Sequence, residues 1–397
     1  MKGLSLIVTA LEASADDLGA SLAASLRARI DGPLCLFGVG GAKLAGEGLE
    51  SLFDPRDLAI LGAMEAVAVW PRVRARARRI GELAAQVRPD AVVLIDAWGF
   101  SLRAAHAVRR SSPSTPIVKY VAPQVWATRP GRARTLASAV DALLALHDFD
   151  APYFEREGLW TRCVGNPVLS RPVAKADTES LRAELALPSE APVLLILPGS
   201  RRAEVARLAP VFGATAARLK QEAPKLETIL AVAEPVEAEV RDAVQAWRVT
   251  PRIVVGEARR WAAMRLATAA LACSGTVTTE LAMAGCPMVA AYRLDPPTYL
   301  AARALLRSRF VSLINVAAGR FVVPERLQGE CRPDILAADL RRLLNDPRAR
   351  EAQALAQSHA IARLGGRIAD PAGAAADALL EVIARRRGDQ PRVSSGA

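Results

Sequence analysis

Leu194, Leu195, Ile196 and Leu197 run directly into Pro198-Gly199-Ser200-Arg201, and an amphipathic pattern containing Glu204 and Val205 begins at once. Four consecutive apolar residues read as a strand buried on both faces, and the Pro-Gly-Ser turn converts that strand into a helix. A strand that empties through glycine onto a helix N-terminus is also a site for anionic oxygen. The free N–H groups and the positive end of the helix dipole point at the ligand, and Arg201 adds a fork of donors. An ordinary strand-to-helix turn reads the same way, so a second element is needed. It comes as the apolar run 269–273 followed by Ser274-Gly275-Thr276-Val277-Thr278-Thr279-Glu280-Leu281. Glu280 falls in the first helical turn. There its carboxylate either accepts from two vicinal hydroxyls of a ribose or merely complements the dipole, a contribution of about 0.3–1 kcal/mol. Two such turns at the carboxyl ends of strands in one sheet suit a nucleotide lying across its crevice.

At 397 residues the chain exceeds one ordinary core, so two domains are expected. A hydrophobic content of 51% excludes a disordered chain. Cys35, Cys163, Cys273, Cys286 and Cys331 form an odd set with no Cys-x-x-Cys pair and read as reduced core residues. With only His106, His147 and His359, scattered, a protein-held zinc or iron site is not expected. Lys2 and the apolar run to Leu11 imitate a signal peptide, but Glu12, Asp16 and Asp17 follow immediately, which favours a first strand. Charges at Arg265, Glu280 and Arg293 interrupt the most apolar region, so no membrane span is expected.

The net charge is +11. One basic cluster, Arg72, Arg74, Arg76, Arg78 and Arg79, follows the apolar segment 60–70. Another, Arg303, Arg307 and Arg309, lies among Leu300, Leu305, Leu306 and Phe310. Each is either a solvated helix face or a surface that rests on anionic lipid. No helix-turn-helix, zinc finger or aromatic-basic platform is present, so nucleic acid is not the expected polyanion.

Strand-like runs at 4–10, 34–39, 91–95, 117–121, 142–146 and 163–165 alternate with helical patterns, notably 16–30 and 102–110. The second half repeats the plan at 193–197, 228–232, 253–255, 271–273 and 288–291. This predicts an α/β protein of two Rossmann-like parallel-sheet domains with a substrate cleft between them. The domains are placed at 1–167 and 193–345, with a linker at 168–192. Helices at 346–387 pack back on the first domain or on a partner subunit, and 388–397 form a disordered tail.

In order and spacing the motifs resemble those of the lipid-A-disaccharide synthase family, inverting glycosyltransferases of the GT-B fold, over nearly the whole chain. The marks in the second half are Leu197-Pro198-Gly199-Ser200-Arg201 with Glu204, and Ser274-Gly275-Thr276 with Glu280. Cys286-Pro287-Met288-Val289 with Tyr292-Arg293, and Val311-Ser312-Leu313 with Asn315, follow. In the first half they are Glu12-Ala13-Ser14 with Asp16, Ile95-Asp96-Ala97 with Phe100, Pro123-Gln124-Val125-Trp126 with Arg129, and Gly165-Asn166-Pro167.

The resemblance implies transfer of a diacylated glucosamine from UDP to the 6-hydroxyl of an acylated glucosamine 1-phosphate, giving the β-1,6-linked lipid A disaccharide and UDP. It implies no cofactor and no metal, and a peripheral place on the cytoplasmic face of the inner membrane. Ser200 and Arg201 would cradle the diphosphate, Thr276 would add a phosphate-side donor at its helix start, and Glu280 would hold the ribose hydroxyls. Gly199, Glu204, Ser274 and Gly275 would belong to the same UDP-sugar site, and Asn315 would lie near the cleft on the donor side. Asp96 would be the general base, its alternative being a helix cap or a sheet-end aspartate. Glu12, Ser14 and Asp16 would line the acceptor side, Asp16 being equally suited to cap the first helix. Trp126 and Arg129 would face an acyl chain and a sugar phosphate, or Trp126 is core. A homodimer, intertwined or not, is compatible with the helical C-terminus.

Departures from the family pattern gather in the first half. Gly-Glu-x-Ser-Gly-Asp becomes Leu11-Glu12-Ala13-Ser14-Ala15-Asp16, and Ile-Asp-x-Pro-Asp-Phe-Asn becomes Ile95-Asp96-Ala97-Trp98-Gly99-Phe100-Ser101. Trp-Ala-Trp-Arg becomes Trp126-Ala127-Thr128-Arg129, and Leu-Pro-Phe-Glu becomes His147-Asp148-Phe149-Asp150. Besides a working synthase, these leave open a relative with another acceptor, a non-catalytic nucleotide-sugar-binding protein, and an epimerase of similar fold.

Overall fold

The computed structural model describes residues 3–58, 63–295, 299 and 308–388; the side chains of 56 and 63–69 are also outside the description. Arg303, Arg307 and the tail beyond Gly388 therefore lie outside the described residues.

The first half runs β1 (Leu4–Thr9), α1 (Ala13–Arg27), β2 (Leu34–Val39), α2 (Ala42–Gly46), α3 (Ala63–Val87), β3 (Ala91–Ile95), α4 (Trp98–Ser111) and β4 (Ile117–Tyr120). It continues with α5 (Arg132–Ala137), β5 (Ala142–Ala145), α6 (Ala151–Glu155) and β6 (Trp160–Cys163). The sheet order is β2-β1-β3-β4-β5-β6, with every pair parallel. Alternate residues feed two cores, as a strand covered on both faces requires. Ala91, Val93 and Ile95 of β3 join the layer beneath α1, whereas Val92 and Leu94 join the layer beneath α3 and α4. The expected strand at 163–165 is instead Trp160–Cys163: Gly165 turns the chain at φ +84°, so pairing ends before it.

The second half carries α7 (Thr178–Glu184), β7 (Val193–Leu197), α8 (Arg202–Glu222), β8 (Glu227–Val232), α9 (Glu237–Val244), β9 (Arg252–Val255) and α10 (Glu257–Leu266). Next come β10 (Ala269–Cys273), α11 (Thr276–Met283), β11 (Met288–Tyr292), α12 (Leu313–Ala318), β12 (Glu325–Leu327), α13 (Pro333–Asn345) and α14 (Pro347–Ile361). This sheet is also parallel, in the order β12-β11-β10-β7-β8-β9. The charged three-residue edge strand β12 has no apolar run to announce it. A last helix, α15 (Pro371–Arg387), closes the described chain.

Two compact units result: Met1–Pro167 with Arg367–Ala397, and Val168–Gly366. The stretch read as a linker counts with the second unit, because Asp177 caps α7, which packs on α10, and Arg252 Nε donates to the Leu185 carbonyl at 2.6 Å. The C-terminal helices divide between the units. The Gln353 side chain of α14 bonds the Met288 N–H and carbonyl at 2.7 and 3.1 Å, which ties α14 to the second sheet. In contrast, Ala375, Leu379 and Ile383 of α15 pack with Leu22 and Leu26 of α1. Among the described residues no helix is long and apolar enough to cross a membrane.

Candidate functional site

In the second sheet the chain proceeds from β7 outward through β8 and β9, then returns to the other side of β7 as β10. The carboxyl ends of β7 and β10 therefore flank the point where strand order reverses, the place in an open α/β sheet where loops diverge and leave a crevice. A cavity of about 310 Å³ lies there, lined by both turns singled out in the sequence: Gly199, Ser200, Arg201 and Glu204 from one, Ser274, Gly275, Thr276 and Glu280 from the other. Helices α8 and α11 open onto it without a side-chain cap, so their first N–H groups are left for a ligand.

Gly199 adopts φ +118°, and a Cβ there would lie 2.6 Å from Glu204 Oε2. The turn can therefore be made only by glycine. Glu204 itself is 8% exposed and its carboxylate is committed within the protein. It accepts from the Ser200 N–H at 3.1 Å, from Arg201 at 3.4 Å and from the Tyr292 hydroxyl at 3.3 Å. Burial first, and the Glu204 charge second, raise the Tyr292 phenol, which keeps it a donor. Glu204 thus shapes the turn rather than meeting a diphosphate, to which its charge would be repulsive. Arg201 keeps a side chain 79% exposed at the cavity.

Glu280 sits at the cavity wall with its side chain 6% exposed. Its Oε1 faces Arg171 at 2.7 Å and its Oε2 faces Arg260 at 3.4 Å. Two buried polar atoms at the wall, Ser274 Oγ and Arg260 Nε, have no hydrogen-bond partner among the described residues. Unsatisfied polar atoms around a cavity point to a polar ligand. Arg171, Arg260 and Tyr292 escaped the sequence reading as site residues. Arg171 and Arg260 carry no local motif and reach the site only through folding, while Tyr292 could have been found from its motif beside Arg293.

Asn315 is placed elsewhere. It is fully buried and absent from the cavity wall. Its amide donates to the Val323 carbonyl and to Glu325, both at 2.8 Å, and accepts from the Val322 and Val323 N–H groups. All four hydrogen-bonding positions are used in holding the approach to β12, which leaves none for a ligand.

The first sheet reverses between β1 and β3. Asp96 and Ala97 follow β3 with φ +46° and +42°, a left-handed corner built without glycine. The Asp96 carboxylate makes no hydrogen bond or ion pair among the described residues, whereas its carbonyl accepts from Ser101 Oγ at 2.6 Å. Glu12 and Ser14, after β1, are exposed. Asp16 is not available to a substrate and does not cap α1. It is 6% exposed and accepts from the N–H groups of Gly41, Lys43 and Leu44 at 2.8, 2.9 and 3.2 Å, which caps α2. Trp126 is half-buried; its indole donates to the buried Asp150 and its ring meets Phe149 edge-on at 5.8 Å. Burial pushes Asp150 up to about 7, the Trp126 bond opposing, and pushes His147 down to about 4 against the Asp148 charge. Arg129 is exposed, at φ +49°.

The departures in the first loop cost no backbone strain: Ala15 lies inside α1, and neither it nor Leu11 has a positive φ. In the first basic cluster Arg72, Arg74, Arg78 and Arg79 are exposed, while Arg76 pairs with Asp57 at 2.7 Å and covers Phe53.

Solved structures share this fold. The UDP-GlcNAc 2-epimerase of Neisseria meningitidis, crystallised with UDP-GlcNAc, aligns with TM-score 0.56 at 13% identity over 97% of this chain and all of its own. CalG4, the calicheamicin glycosyltransferase, aligns with TM-score 0.57 at 16% identity over 97% and 99%. At such identities the likeness establishes the GT-B architecture alone. Sequence relatives are nearer. Lipid-A-disaccharide synthase of Rhodospirillum centenum is 42% identical over 386 residues, 97% of this chain and 96% of the relative. That of Rhodopseudomonas palustris is 44% identical over 380 residues, 94% and 95%. A family model described as lipid-A-disaccharide synthetase matches residues 6–378, and with it the chain belongs to the lipid-A-disaccharide synthase family.

Proposed function

We propose that the chain transfers a diacylated glucosamine from UDP to the 6-hydroxyl of 2,3-diacylglucosamine 1-phosphate, forming the β-1,6-linked lipid A disaccharide 1-phosphate and releasing UDP. The observation that carries this, beside family membership, is the cavity where β7 and β10 diverge, with two uncapped helix N-termini, Arg201 and the Glu280 carboxylate around it. In the transfer the acceptor oxygen bonds to the anomeric carbon while the bond from that carbon to the diphosphate breaks. The acceptor proton passes to Asp96, and the charge left on UDP is met by the helix ends and Arg201. Glu280, held by Arg171 and Arg260, accepts from the ribose hydroxyls. Neutralising the diphosphate in this way calls for no metal.

Both acylated substrates imply a lipid surface. Trp70, 41% exposed and stacked under Arg103 at 3.6 Å, stands beside Arg72 and Arg74. Phe321, 53% exposed, is covered by Arg309 together with Phe310. Apolar rings paired with arginines suit the headgroup region of anionic lipid.

The deciding experiment supplies UDP-2,3-diacylglucosamine and 2,3-diacylglucosamine 1-phosphate in micelles and follows UDP and disaccharide for the wild type and Asp96→Asn. Disaccharide from the wild type and a loss of at least about 10²-fold in the variant are expected. UDP release without disaccharide would mean another acceptor or hydrolysis, and UDP binding without turnover would overturn the reading. Running the assay in anionic and in neutral vesicles checks the lipid contact; equal rates would exclude it.

A further inference from the structure

A lysine stands in the first sheet where packing asks for an aliphatic residue. Lys119 of β4 is 2% exposed, and its register partners are Leu94 of β3 and Leu143 of β5. Both leucines, with Ile117 two residues before it, belong to the apolar layer beneath α3 and α4. Burial removes water from the ammonium and pushes Lys119 down to about 7, with the Asp96 charge partly opposing. An apolar residue of similar volume would fill the space without that penalty.

What the lysine gains is an acceptor for each of its three N–H groups. Nζ lies 2.5 Å from the Asp96 carbonyl oxygen, 3.1 Å from that of Tyr120 and 3.2 Å from that of Leu94. The Asp96 N–H also donates to the Tyr120 carbonyl, at 3.0 Å. The ammonium therefore bridges the two corners by which the chain leaves β3 and β4. Both corners hold non-glycine residues in the left-handed region: Asp96, Ala97 and the β-branched Val121, at φ +75°. Such backbone persists only where its surroundings over-determine it.

We propose that Lys119 is a positioning residue for the transfer: by clamping these carbonyls it keeps the Asp96–Ala97 corner from relaxing and so holds the Asp96 carboxylate where the acceptor hydroxyl needs it. This rests on Asp96 being the general base, as proposed above. Lys119 touches no substrate, and its whole effect passes through the main chain of Asp96.

A double-mutant cycle tests it: wild type, Lys119→Met, Asp96→Asn and both together, each checked for folding by circular dichroism and for UDP affinity by calorimetry. Lys119→Met is expected to lose about 10²-fold in kcat, with both KM values and the UDP Kd within about twofold of wild type. In the Asp96→Asn background the same change costs little more, because the group it positions is already gone. A wild-type kcat in Lys119→Met overturns the proposal, as does an equal factor in both backgrounds or a loss that tracks UDP affinity. Wild-type turnover in Asp96→Asn would instead overturn the base assignment, so the two failures are distinct. If Lys119→Met does not fold, Lys119→Leu, which likewise removes every N–H donor, enters the cycle with the same outcomes.

Discussion

Both sheets reverse direction once, and the two reversal points are built by opposite means. At β7 and β10 the work falls to the backbone: Gly199 takes the conformation that other residues resist, Gly275 leaves the cavity open, and uncapped helix ends supply donors. At β1 and β3 no glycine relieves the corner, and Asp96 and Ala97 are held left-handed by contacts from Ser101 and Lys119. Backbone N–H groups suit a diphosphate, whose charge is spread over several oxygens. In the proposed transfer a single carboxylate must meet one hydroxyl, which calls for a fixed side chain, and a left-handed backbone braced by side chains suits that role. The departures from the family pattern lie in the first unit. Ser101, at the position where the family has asparagine, takes a bracing role through its hydroxyl.

The contrast can be broken at its strongest point by adding a methyl group to each of the two glycines at the second reversal point, Gly199 and Gly275. Gly199→Ala sets a Cβ against Glu204 in a conformation alanine resists. It is expected to cost about 2–4 kcal/mol in denaturant unfolding and to weaken UDP at least about tenfold. Gly275 is extended, at φ 168°, and its Cβ would meet nothing within 4 Å. Gly275→Ala should therefore change stability by less than about 0.5 kcal/mol while still weakening UDP. Equal stabilities for the two variants would refute the division of labour between the glycines.

A second measurement sharpens the side-chain character of the first unit. The Asp150 carboxyl, ordinarily near 3.8, titrates near 7 when folded because burial penalises its charge. Between those values the folded state binds more protons than the unfolded one, so this group's contribution to stability falls as pH rises. Asp150→Asn removes the titration and leaves that of His147 in both proteins. The stability of wild type relative to the variant should decline from pH 4 to pH 7, by up to about 4 kcal/mol. A difference independent of pH would rule this out. A smaller effect than that of Asp150 is expected from Ala97→Gly, which relieves a left-handed alanine. Thermal unfolding should show a gain of about 0.5–1 kcal/mol, and a loss would mean the corner is not strained.

Much of the protein was legible in its sequence because the signals are local. Apolar runs such as 193–197 and 269–273 specify buried strands, and Pro198-Gly199-Ser200 and Ser274-Gly275-Thr276 specify strand-to-helix turns with conformations set within a few residues. Alternation of such runs with amphipathic stretches leaves a parallel sheet as the architecture, since parallel strands need crossover helices. What the fold alone decided is which polar side chains remain free. Asp16, Glu204 and Asn315 sit in motifs that read as binding residues, yet their hydrogen-bonding capacity is taken by α2, by the Ser200 turn and by the approach to β12. Conversely, Arg171 and Arg260 meet Glu280 across long stretches of chain, and Lys119 serves a corner on another strand. Whether a carboxylate or an ammonium faces a ligand or the protein's own groups depends on which partners folding sets beside it, from Ser200, only four residues before Glu204, to Arg171, 109 residues before Glu280, and periodicity carries no record of these.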